Sequence, residues 1–484
     1  MKRPISIRSI IIIGAIILLF TAAIRWPREI ITAWGRLKHT IVKKYYDFQT
    51  DRNMGKIENL IDNASPSEPR EDSGLNLLFI IIDTCRSDRL SCYGYPEITT
   101  PNIDSLAESG TRFSTVVSQA PVTMPSHCSI FTSLYPPTHG VRDNGSFKLN
   151  ESFNTMAEIL QRNGYMTGAV VGSFVLDSRF GLDQGFNHYH DTFKKPGSPR
   201  FHNGRWQGHD IDIFESSADE VTLEALRWLD EHRRTKSFLF LNYYDPHEPC
   251  TPPSRFMKAF PGNPYNGEVA FVDECISYII RYLEKSGLAD NTMIVITADH
   301  GESLGEHDYT GHADVLYDQV LLVPWIIYDP RRTATSRSID RQVNSVDIMP
   351  TVLDLLGIKV PEGIHGVSRA NLMDKEPTGV EETSYAETLF PLLRGGEAEI
   401  HTLRTPTWKL VRYIKADGGE RNLLFNLIED RDETLDLIDR YPDIAGWLSE
   451  ELDKYRRLDS PERFNQMTPV NGETRKKLKA LGYI

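Results

Sequence analysis

Between residues 75 and 302, short apolar runs alternate with amphipathic segments, and this alternation predicts the fold. The apolar runs are "LNLLFIIID", "TGAVVGS", "SFLFLNYYDPHEP" and "TMIVITADHGE", and segments such as "NTMAEILQRNG" and "ADEVTLEALRWLDEHRR" lie between them. Continuous apolar runs are typical of parallel strands that are covered on both faces, and strand–helix alternation favours such a sheet. We therefore predict an α/β fold with a mostly parallel or mixed sheet sandwiched by helices.

The N-terminus follows a different pattern. Lys2, Arg3 and Arg8 precede an uncharged apolar run from Ser9 to Ala23. A membrane span needs about 20 mostly apolar residues and a signal-peptide core about 7–15, so this run lies between the two. Because the cleavage signal "FTAA" is weak, residues 1–26 are predicted to be a membrane helix rather than a removed signal segment. Positive charge on both sides leaves the orientation open, and we predict a catalytic domain in the periplasm or outside the cell.

Residues 27–74 are predicted to form a juxtamembrane connector, with an amphipathic helix followed by the polar stretch "NASPSEPREDSG".

The charge and the cysteines of the chain restrict the classes of function that are compatible with it. A net charge of −13 disfavours nucleic acid as a partner, because phosphate backbones select basic surfaces. The five cysteines are widely spaced, so they predict neither a disulfide framework nor a CxxC zinc site, although one bridge is compatible with them.

Acidic residues follow three of the predicted strands, namely Asp83, Asp245 and Asp299. Ligands of parallel sheets collect at the carboxyl ends of the strands. Asp299 is followed directly by His300, and a carboxylate beside an imidazole suits a divalent ion such as Zn²⁺ or Mn²⁺. A solvated turn is the alternative for this pair. The equivalent position of Asp83 strengthens the metal hypothesis.

Seven segments together resemble the sulfatase family of the alkaline phosphatase superfamily. They include "FIIIDTCRSDRLSCYGY", "TMPSHCSIFTSLYPPTHG", "NYYDPHEP" and "ITADHGESLGEH", in the family's order and spacing. The resemblance covers about residues 75–372, and "RTPTWKLVRY" resembles the start of the family's small terminal subdomain. It implies an alkaline phosphatase-like catalytic domain at residues 75–375. It also implies a C-terminal α+β subdomain and tail at residues 376–484.

Four positions depart from the pattern of the calcium-dependent sulfatases. Thr123 stands where the family carries the Cys or Ser that is oxidised to formylglycine, and a secondary alcohol cannot yield that aldehyde. The other departures are the arginine of the same motif, the second acid after the first strand and a lysine, which are here His127, Thr84 and Ser173. The sequence therefore excludes formylglycine chemistry at position 123.

In its threonine the chain is similar to phosphoethanolamine transferases and nucleotide pyrophosphatase-like members of the superfamily. That resemblance implies an unmodified Thr123 as nucleophile, because a bound divalent ion lowers the pKa of a ligated oxygen. The resemblance implies one divalent ion, Zn, Mn or Ca, and leaves a second ion open. The implied ligands of the first ion are Asp83, Thr123, Asp299 and His300. The further site residues implied are His247 and His312 for catalysis, and Asn144 and His127 for substrate binding.

Five other polar residues are interpreted more simply. His139 is predicted to be a structural histidine at a turn, and Arg86 is predicted to pair with Asp88 on a loop. His307 is interpreted as solvated within an acidic segment. For His365 a role as ligand of a second metal is the less favoured alternative. We assign no chemistry to the tail "ETRKKLKALGYI".

The favoured function is a metal-dependent hydrolase that cleaves a sulfate- or phosphate-type ester of a small molecule, glycan or lipid. One alternative is a phosphotransferase of the phosphoethanolamine type. The other is an inactive, membrane-anchored binding protein that lost catalysis with the cysteine. A binding protein has no use for the whole set of ligand and histidine positions, so we favour an enzyme. The sequence leaves the leaving group and the oligomeric state open.

Overall fold

A computed structural model describes residues 28–66, 74–97, 100–193, 205–206, 209–210, 215–332, 337–375 and 382–458. The predicted membrane segment 1–26 and the tail "ETRKKLKALGYI" lie outside these ranges. Within them, no helix is both long enough and apolar enough to cross a bilayer. The helices, numbered in chain order, are α1 Arg28–Asn63, α2 Pro101–Glu108, α3 Thr123–Thr132, α4 Pro136–His139, α5 Met156–Arg162, α6 Ala218–His232, α7 Ser254–Ala259, α8 Pro264–Lys285, α9 Asp318–Leu321, α10 Ile348–Leu355, α11 Phe390–Leu393 and α12 Pro442–Arg456.

An eight-stranded sheet forms the centre of the molecule, in the order β12-β2-β11-β8-β1-β7-β3-β4. Strand β11 is antiparallel to both of its neighbours and the other pairs are parallel, which confirms the predicted mixed α/β sheet. Its strands are β1 Asn76–Ile82, β2 Thr111–Val117, β3 Met166–Val171, β4 His188–His190, β7 Ser237–Tyr243, β8 Thr292–Thr297, β11 Leu322–Tyr328 and β12 Arg337–Asn344. Two small hairpins are formed by β5 Arg205–Trp206 with β6 His209–Asp210 and by β9 Ser303–Leu304 with β10 Thr310–Gly311.

Helices cover both faces of this sheet. Every residue of β1, β7 and β8 is buried, as expected from their continuous apolar sequences. On one face, Phe131 of α3 packs against Phe79 and Phe240, with ring centroids 5.8 and 4.9 Å away. On the other face, α6 lies so close to β3 that a Cβ on Gly168 would meet the Trp228 ring at 2.4 Å. The predicted sandwich of helix, sheet and helix is therefore present.

Helix α1 belongs partly to this core. Ile57 and Ile61 are buried in the main hydrophobic cluster, and the amide of Asn53 donates to the Asp219 carboxylate at 2.6 Å. The sequence predicts a helix in the connector at residues 27–74. The structure adds that its C-terminal half packs against α6 and α8, because its apolar side chains have a core to enter. Removing α1 would expose to water the part of the core that Ile57 and Ile61 cover.

The C-terminal region is a four-stranded antiparallel sheet with one long helix. Its strands are β13 Ser384–Thr388, β14 Ala398–Arg404, β15 Trp408–Lys415 and β16 Glu420–Asn426. Along β15, Leu410 packs with α12 while the next residue, Val411, packs with Val320 of the large domain. This alternation has the period of two expected of a strand with two covered faces. The predicted α+β C-terminal subdomain is confirmed, and all five cysteines of the chain are free thiols.

Candidate active site

Three potential metal ligands meet at the carboxyl ends of β1 and β8. These strands are parallel neighbours, with Ile81 opposite Thr297, so the residues that follow them lie side by side. One ligand atom from each of Asp83, Asp299 and His300 lies within 4.8 Å of the others. All three side chains are fully buried. Two carboxylates and an imidazole in a dry pocket form a donor set that suits a divalent cation.

The carboxylate of Asp299 is held by one oxygen only. Its Oδ1 accepts hydrogen bonds from the backbone N–H groups of Thr84 at 3.2 Å and His300 at 2.8 Å. Within the described residues, Oδ2 accepts no hydrogen bond, although it lies 3.6 Å from His127 Nδ1 and 3.5 Å from His300 Nε2. Burial raises the pKa of Asp299. One oxygen therefore positions the side chain, and the other faces the pocket.

Thr84 has a left-handed backbone, with a φ of 54°. A β-branched residue rarely adopts that conformation, which costs on the order of 1–3 kcal/mol. Two contacts hold it there: its N–H donates to Asp299, and its carbonyl accepts from the Tyr265 hydroxyl at 2.8 Å. This strained residue lies next to the ligand cluster, and its N–H helps to orient the carboxylate of Asp299.

His300 presents a free lone pair to the pocket. Its Nδ1–H donates to the Gly301 carbonyl at 3.0 Å, so the unprotonated nitrogen is Nε2. Burial lowers the pKa of His300 to about 3 and keeps the ring neutral. Nε2 lies 3.4 Å from the hydroxyl oxygen of Thr123. A backbone bond that fixes the tautomer in this way is typical of metal-ligating histidines.

Thr123 is the first residue of α3 and is fully buried. Val122 before it is extended, and Pro125 in the first turn needs no intrahelical N–H partner, so the helix begins here. One turn later, Nδ1–H of His127 donates to the Thr123 carbonyl at 2.8 Å. The threonine hydroxyl thus lies at the positive end of a helix dipole, beside His300.

Two further polar side chains are joined to the start of α3. The amide oxygen of Asn144 accepts from the N–H of Met124 at 2.8 Å, which joins Asn144 to the start of α3. Within the described part of the chain, Asn144 Nδ2 and His127 Nε2 have no hydrogen-bond partner, and both are buried. Burial also lowers the pKa of His127. Nδ2 of Asn144 is therefore a donor without a partner among the described residues, whereas Nε2 of neutral His127 carries a lone pair, because its proton is on Nδ1.

His247 and His312 form a close pair, with their Nε2 atoms 3.0 Å apart. Each ring donates its Nδ1–H to a carbonyl, from His247 to Glu248 at 2.6 Å and from His312 to Pro121 at 2.8 Å. Two unprotonated Nε2 atoms would repel at this distance, so a proton or cation must lie between them. Burial and the neighbouring His300 lower the pKa of His312 to about 3.

The remaining predicted residues lie elsewhere. Asp245 does not join the ligand cluster, because its Oδ1 accepts from the N–H of Ala218 at the start of α6. His139 is buried and bonded to Ser129 at 3.0 Å, as expected of a structural histidine. Arg86 pairs with Asp88 at 2.7 Å, as predicted, and also with Glu306.

The other two histidines also have local contacts. Exposed His307 stacks on Tyr317. His365 is in neither of the candidate metal clusters formed by described residues, and its Nδ1 accepts from the Tyr135 N–H at 3.0 Å.

Sequence reasoning missed two residues of the site. Glu302 is buried, and burial close to Glu248 and Asp299 raises its pKa well above 4.5. Its position two residues after His300 is the signal that could have identified it. Tyr244 stacks on the His247 ring at 4.5 Å and orients it. No spacing rule connects a tyrosine to a histidine across a turn, so this contact needed the structure.

The family model "Sulfatase" matches residues 75–358, and the model "N-sulphoglucosamine sulphohydrolase, C-terminal" matches residues 305–457. The first match covers more than half of the chain. The chain therefore belongs to the sulfatase family, whose members use a divalent metal ion.

Individual relatives agree with this assignment. The chain is 26% identical over 442 residues to the uncharacterized sulfatase YidJ of Escherichia coli strain K12, covering 78% of this chain and 86% of the relative. It is 23% identical over 483 residues to the N-acetylglucosamine-6-O-sulfatase of Bacteroides thetaiotaomicron, covering 76% and 86%. The solved phosphonate monoester hydrolase of Agrobacterium radiobacter has the same fold, with a TM-score of 0.68 at 22% identity, covering 82% and 98%.

Proposed function

We propose that this chain is a metal-dependent hydrolase of sulfate- or phosphate-type esters in which unmodified Thr123 is the nucleophile. The observation that carries the proposal is the position of the Thr123 hydroxyl, 3.4 Å from His300 Nε2 and beside the ligand cluster. A threonine in the hydrophobic interior would normally bond to its own helix or lie among apolar atoms. Thr123 is instead the first residue of α3, where the helix dipole favours an anion, and its hydroxyl is next to His300.

The residues present fit a divalent cation. Asp83, Asp299 and His300 would hold it, with the hydroxyl of Thr123 as a further ligand. Two carboxylates buried this close together need a neighbouring positive charge, because an uncompensated buried charge is very costly. When bound, such an ion supplies the charge that lowers the pKa of a nearby hydroxyl and neutralises an anionic ester.

Three groups of the chain would bind the ester. The start of α3 attracts its negative charge, and Asn144 Nδ2 and His127 Nε2 supply nitrogens to its non-bridging oxygens. Asn144 can donate without any change in protonation. His127 donates from Nε2 only as an imidazolium, since its Nδ1–H is bonded to Thr123. A neighbouring anion favours that charged form, whereas burial opposes it.

The chemical step would be an in-line displacement. The oxygen of Thr123, whose proton has passed to solvent, forms a bond to phosphorus or sulfur, and the bond to the leaving oxygen breaks. His247 gives its Nε2 proton to that oxygen, while His312 holds His247 in place. Water then attacks the threonine ester, His247 takes a proton from that water, and Thr123 is released.

Phosphate-type esters are the better substrates on this mechanism. A formylglycine hydrate can expel sulfate by elimination, whereas an ester of threonine must be attacked by water. The relatives named above include a sugar sulfatase and a phosphonate ester hydrolase. A glycan, lipid or small-molecule ester is therefore the proposed substrate class, with phosphate or phosphonate esters cleaved faster than sulfate esters.

Two alternatives make different use of the same site. In a phosphoethanolamine-type transferase, a second alcohol would replace water in the final step, and the threonine nucleophile supports this option. In an inactive binding protein, the pocket would bind an ester without turning it over. Product analysis separates these options, because transfer gives a new ester whereas hydrolysis gives the free acid.

A panel of sulfate monoesters, phosphate monoesters and phosphate diesters, each with Zn²⁺, Mn²⁺ or Ca²⁺, tests the proposal. The chain should keep α1, because a fragment starting near residue 70 would lack Ile57 and Ile61 and expose the core surface that they cover. We expect turnover of a phosphate-type ester that needs added metal after chelation. Turnover that is unaffected by chelation would contradict the proposal, and turnover confined to sulfate esters would contradict the preference for phosphate-type esters.

We also propose, from the sequence alone, that residues 1–26 attach the protein to a membrane. Removing these residues should transfer the protein from the membrane fraction to the soluble fraction while its specific activity is retained. If the full chain is already recovered in the soluble fraction, the attachment is wrong and the catalytic proposal is unaffected.

A further inference from the structure

A second group of potential ligands lies at the edge of the central sheet, in the part of the fold formed by β4 and α6. It consists of His188 and His190 on β4 and Glu224 on α6. One ligand atom from each lies within 4.8 Å of the others. The two imidazoles are stacked with centroids 6.3 Å apart, and His190 Nδ1 lies 3.8 Å from Glu224 Oε1. None of these residues has a part in the site described above.

The register of the sheet explains why the three side chains meet. His188 and His190 are two residues apart on a strand, so they project from the same face. In the pairing with β3, His188 lies opposite Gly168, and α6 packs over Gly168 through Trp228. The histidine face is therefore the face that α6 covers. Tyr189 projects to the opposite side, where its hydroxyl donates to the Leu176 carbonyl.

We propose that His188, His190 and Glu224 form a second binding site for a divalent ion of the Zn²⁺ class. Two imidazoles and one carboxylate are a ligand set that holds zinc in proteins and leaves a position for water. Zinc–ligand bonds of about 2.0–2.2 Å require ligand atoms somewhat closer than 4.8 Å. His188 is exposed and the other two are partly exposed, so modest side-chain rotations close the gap.

Glu224 is already oriented for this role. Its Oε2 accepts from Arg227 at 3.0 Å, one turn later on α6, while Oε1 faces His190. The arginine neutralises part of the carboxylate charge and so competes with a cation. Arg227→Ala should therefore strengthen binding of the ion, while loss of any one of the three ligands should weaken it.

Such an ion would connect an edge strand to a helix. Strand β4 has three residues and, among the described residues, pairs only with β3, so little of the described backbone pairing holds it. A ligand bond from each histidine to an ion that is also bound by α6 would tie β4 to the helix. The bound ion should therefore raise the melting temperature without changing ester turnover.

The test uses the full chain carrying Asp299→Asn, so that the candidate active site contributes no tight metal binding. After chelation and dialysis, Zn²⁺ is titrated and the metal-to-protein ratio and melting temperature are measured. We expect one equivalent of Zn²⁺ and a higher melting temperature. Adding His190→Ala or His188→Ala should weaken binding by about tenfold or more, since even an outer partner of a metal ligand is worth that much.

His232→Ala is the matched control, because His232 also lies on α6 but bonds to the Trp228 carbonyl and stacks on the Trp228 ring. It should leave Zn²⁺ binding unchanged. Equal Zn²⁺ affinity with and without His188 and His190, or no binding at all in the Asp299→Asn chain, would overturn the proposal. In the chain with Asp299 intact, His190→Ala should retain full ester turnover, so this site and the catalytic proposal succeed or fail separately.

Discussion

Two groups of residues near Thr123 are built differently. The strand-end side consists of Asp83, Asp299 and His300, which come after two central strands and are fully buried. The histidine side consists of His247 and His312, which lie on loops, and the partly exposed His312 contacts the His300 ring at 4.3 Å. Strand ends fix the first group before any ligand arrives. The histidine pair depends on two carbonyl contacts and on stacking with Tyr244, and its exposure gives protons a path to solvent.

This difference predicts different failures. Damage on the strand-end side should remove bound metal and turnover of every substrate. Substitution on the histidine side should leave the metal bound. The loss of turnover should depend on how strongly the leaving group requires protonation. Thr123 belongs to both sides, so its loss should be the most severe change.

The largest effect is expected for Thr123→Ala. Losing a nucleophile that forms a covalent intermediate should reduce turnover by about 10⁴-fold or more for all substrates. Thr123→Ser should keep part of the activity, because a primary alcohol can still attack. Thr132→Ala, at the other end of the same helix, is the control and should retain activity. Near-normal turnover by the Thr123→Ala protein would identify another group as the nucleophile.

Asp299→Asn should come next, with loss of the metal equivalent bound at the active site and a fall in turnover of about 10³-fold or more, because the ion contributes several kcal/mol of charge stabilisation. Metal analysis and steady-state kinetics measure the two effects. The matched control is Asp245→Asn, which alters an acid at the end of another strand, where an asparagine oxygen can still accept from Ala218. If both variants keep the same metal content, the strand-end cluster is not the metal site.

His247→Gln should have a smaller and more selective effect. General acids contribute about 10²-fold or more, and the contribution grows with the pKa of the leaving alcohol. We expect turnover of alkyl esters to fall by about 10²-fold or more and turnover of nitrophenyl esters to change little, with unchanged metal content. His307→Gln, on an exposed loop, is the control. An equal loss of turnover for both classes of ester would show that His247 is not the general acid.

The smallest effect is expected for Asn144→Ala. Loss of one buried hydrogen bond to a charged group costs about 1–3 kcal/mol, so kcat/KM should fall by about tenfold to a hundredfold. The same change removes the acceptor for the Met124 N–H, so the melting temperature must be measured as well. A drop in stability with unchanged kcat/KM would make Asn144 a support for α3 and not a substrate-binding residue.

The sequence predicted the strand-end side better than the histidine side, for a physical reason. A buried parallel strand has a continuous apolar pattern in the sequence. The end of that pattern indicates where a metal-ligating residue can lie, as Asp83 and Asp299 illustrate. The same rule also selected Asp245, because the pattern cannot distinguish a metal ligand from the cap of a following helix. The mixed sheet and the C-terminal sheet were predictable from alternation and from family resemblance.

Contacts between loops were not predictable in this way. The resemblance assigned roles to His247 and His312 separately, but their approach to 3.0 Å depends on the path of two loops. The left-handed Thr84 is likewise invisible in the sequence, since nothing about a threonine indicates a positive φ. The burial of α1 in the core was missed because its polar residues, such as Asn53, have partners only in the folded protein.

Peptide mass analysis can show whether Thr123 is the nucleophile as encoded. The full chain is analysed at rest and after acid quenching during turnover of its best phosphate-type substrate. We expect plain threonine at position 123 at rest and a phosphoryl group on Thr123 in the quenched sample. A modified residue 123 in the resting enzyme, or a phosphoryl group on another residue during turnover, would contradict it.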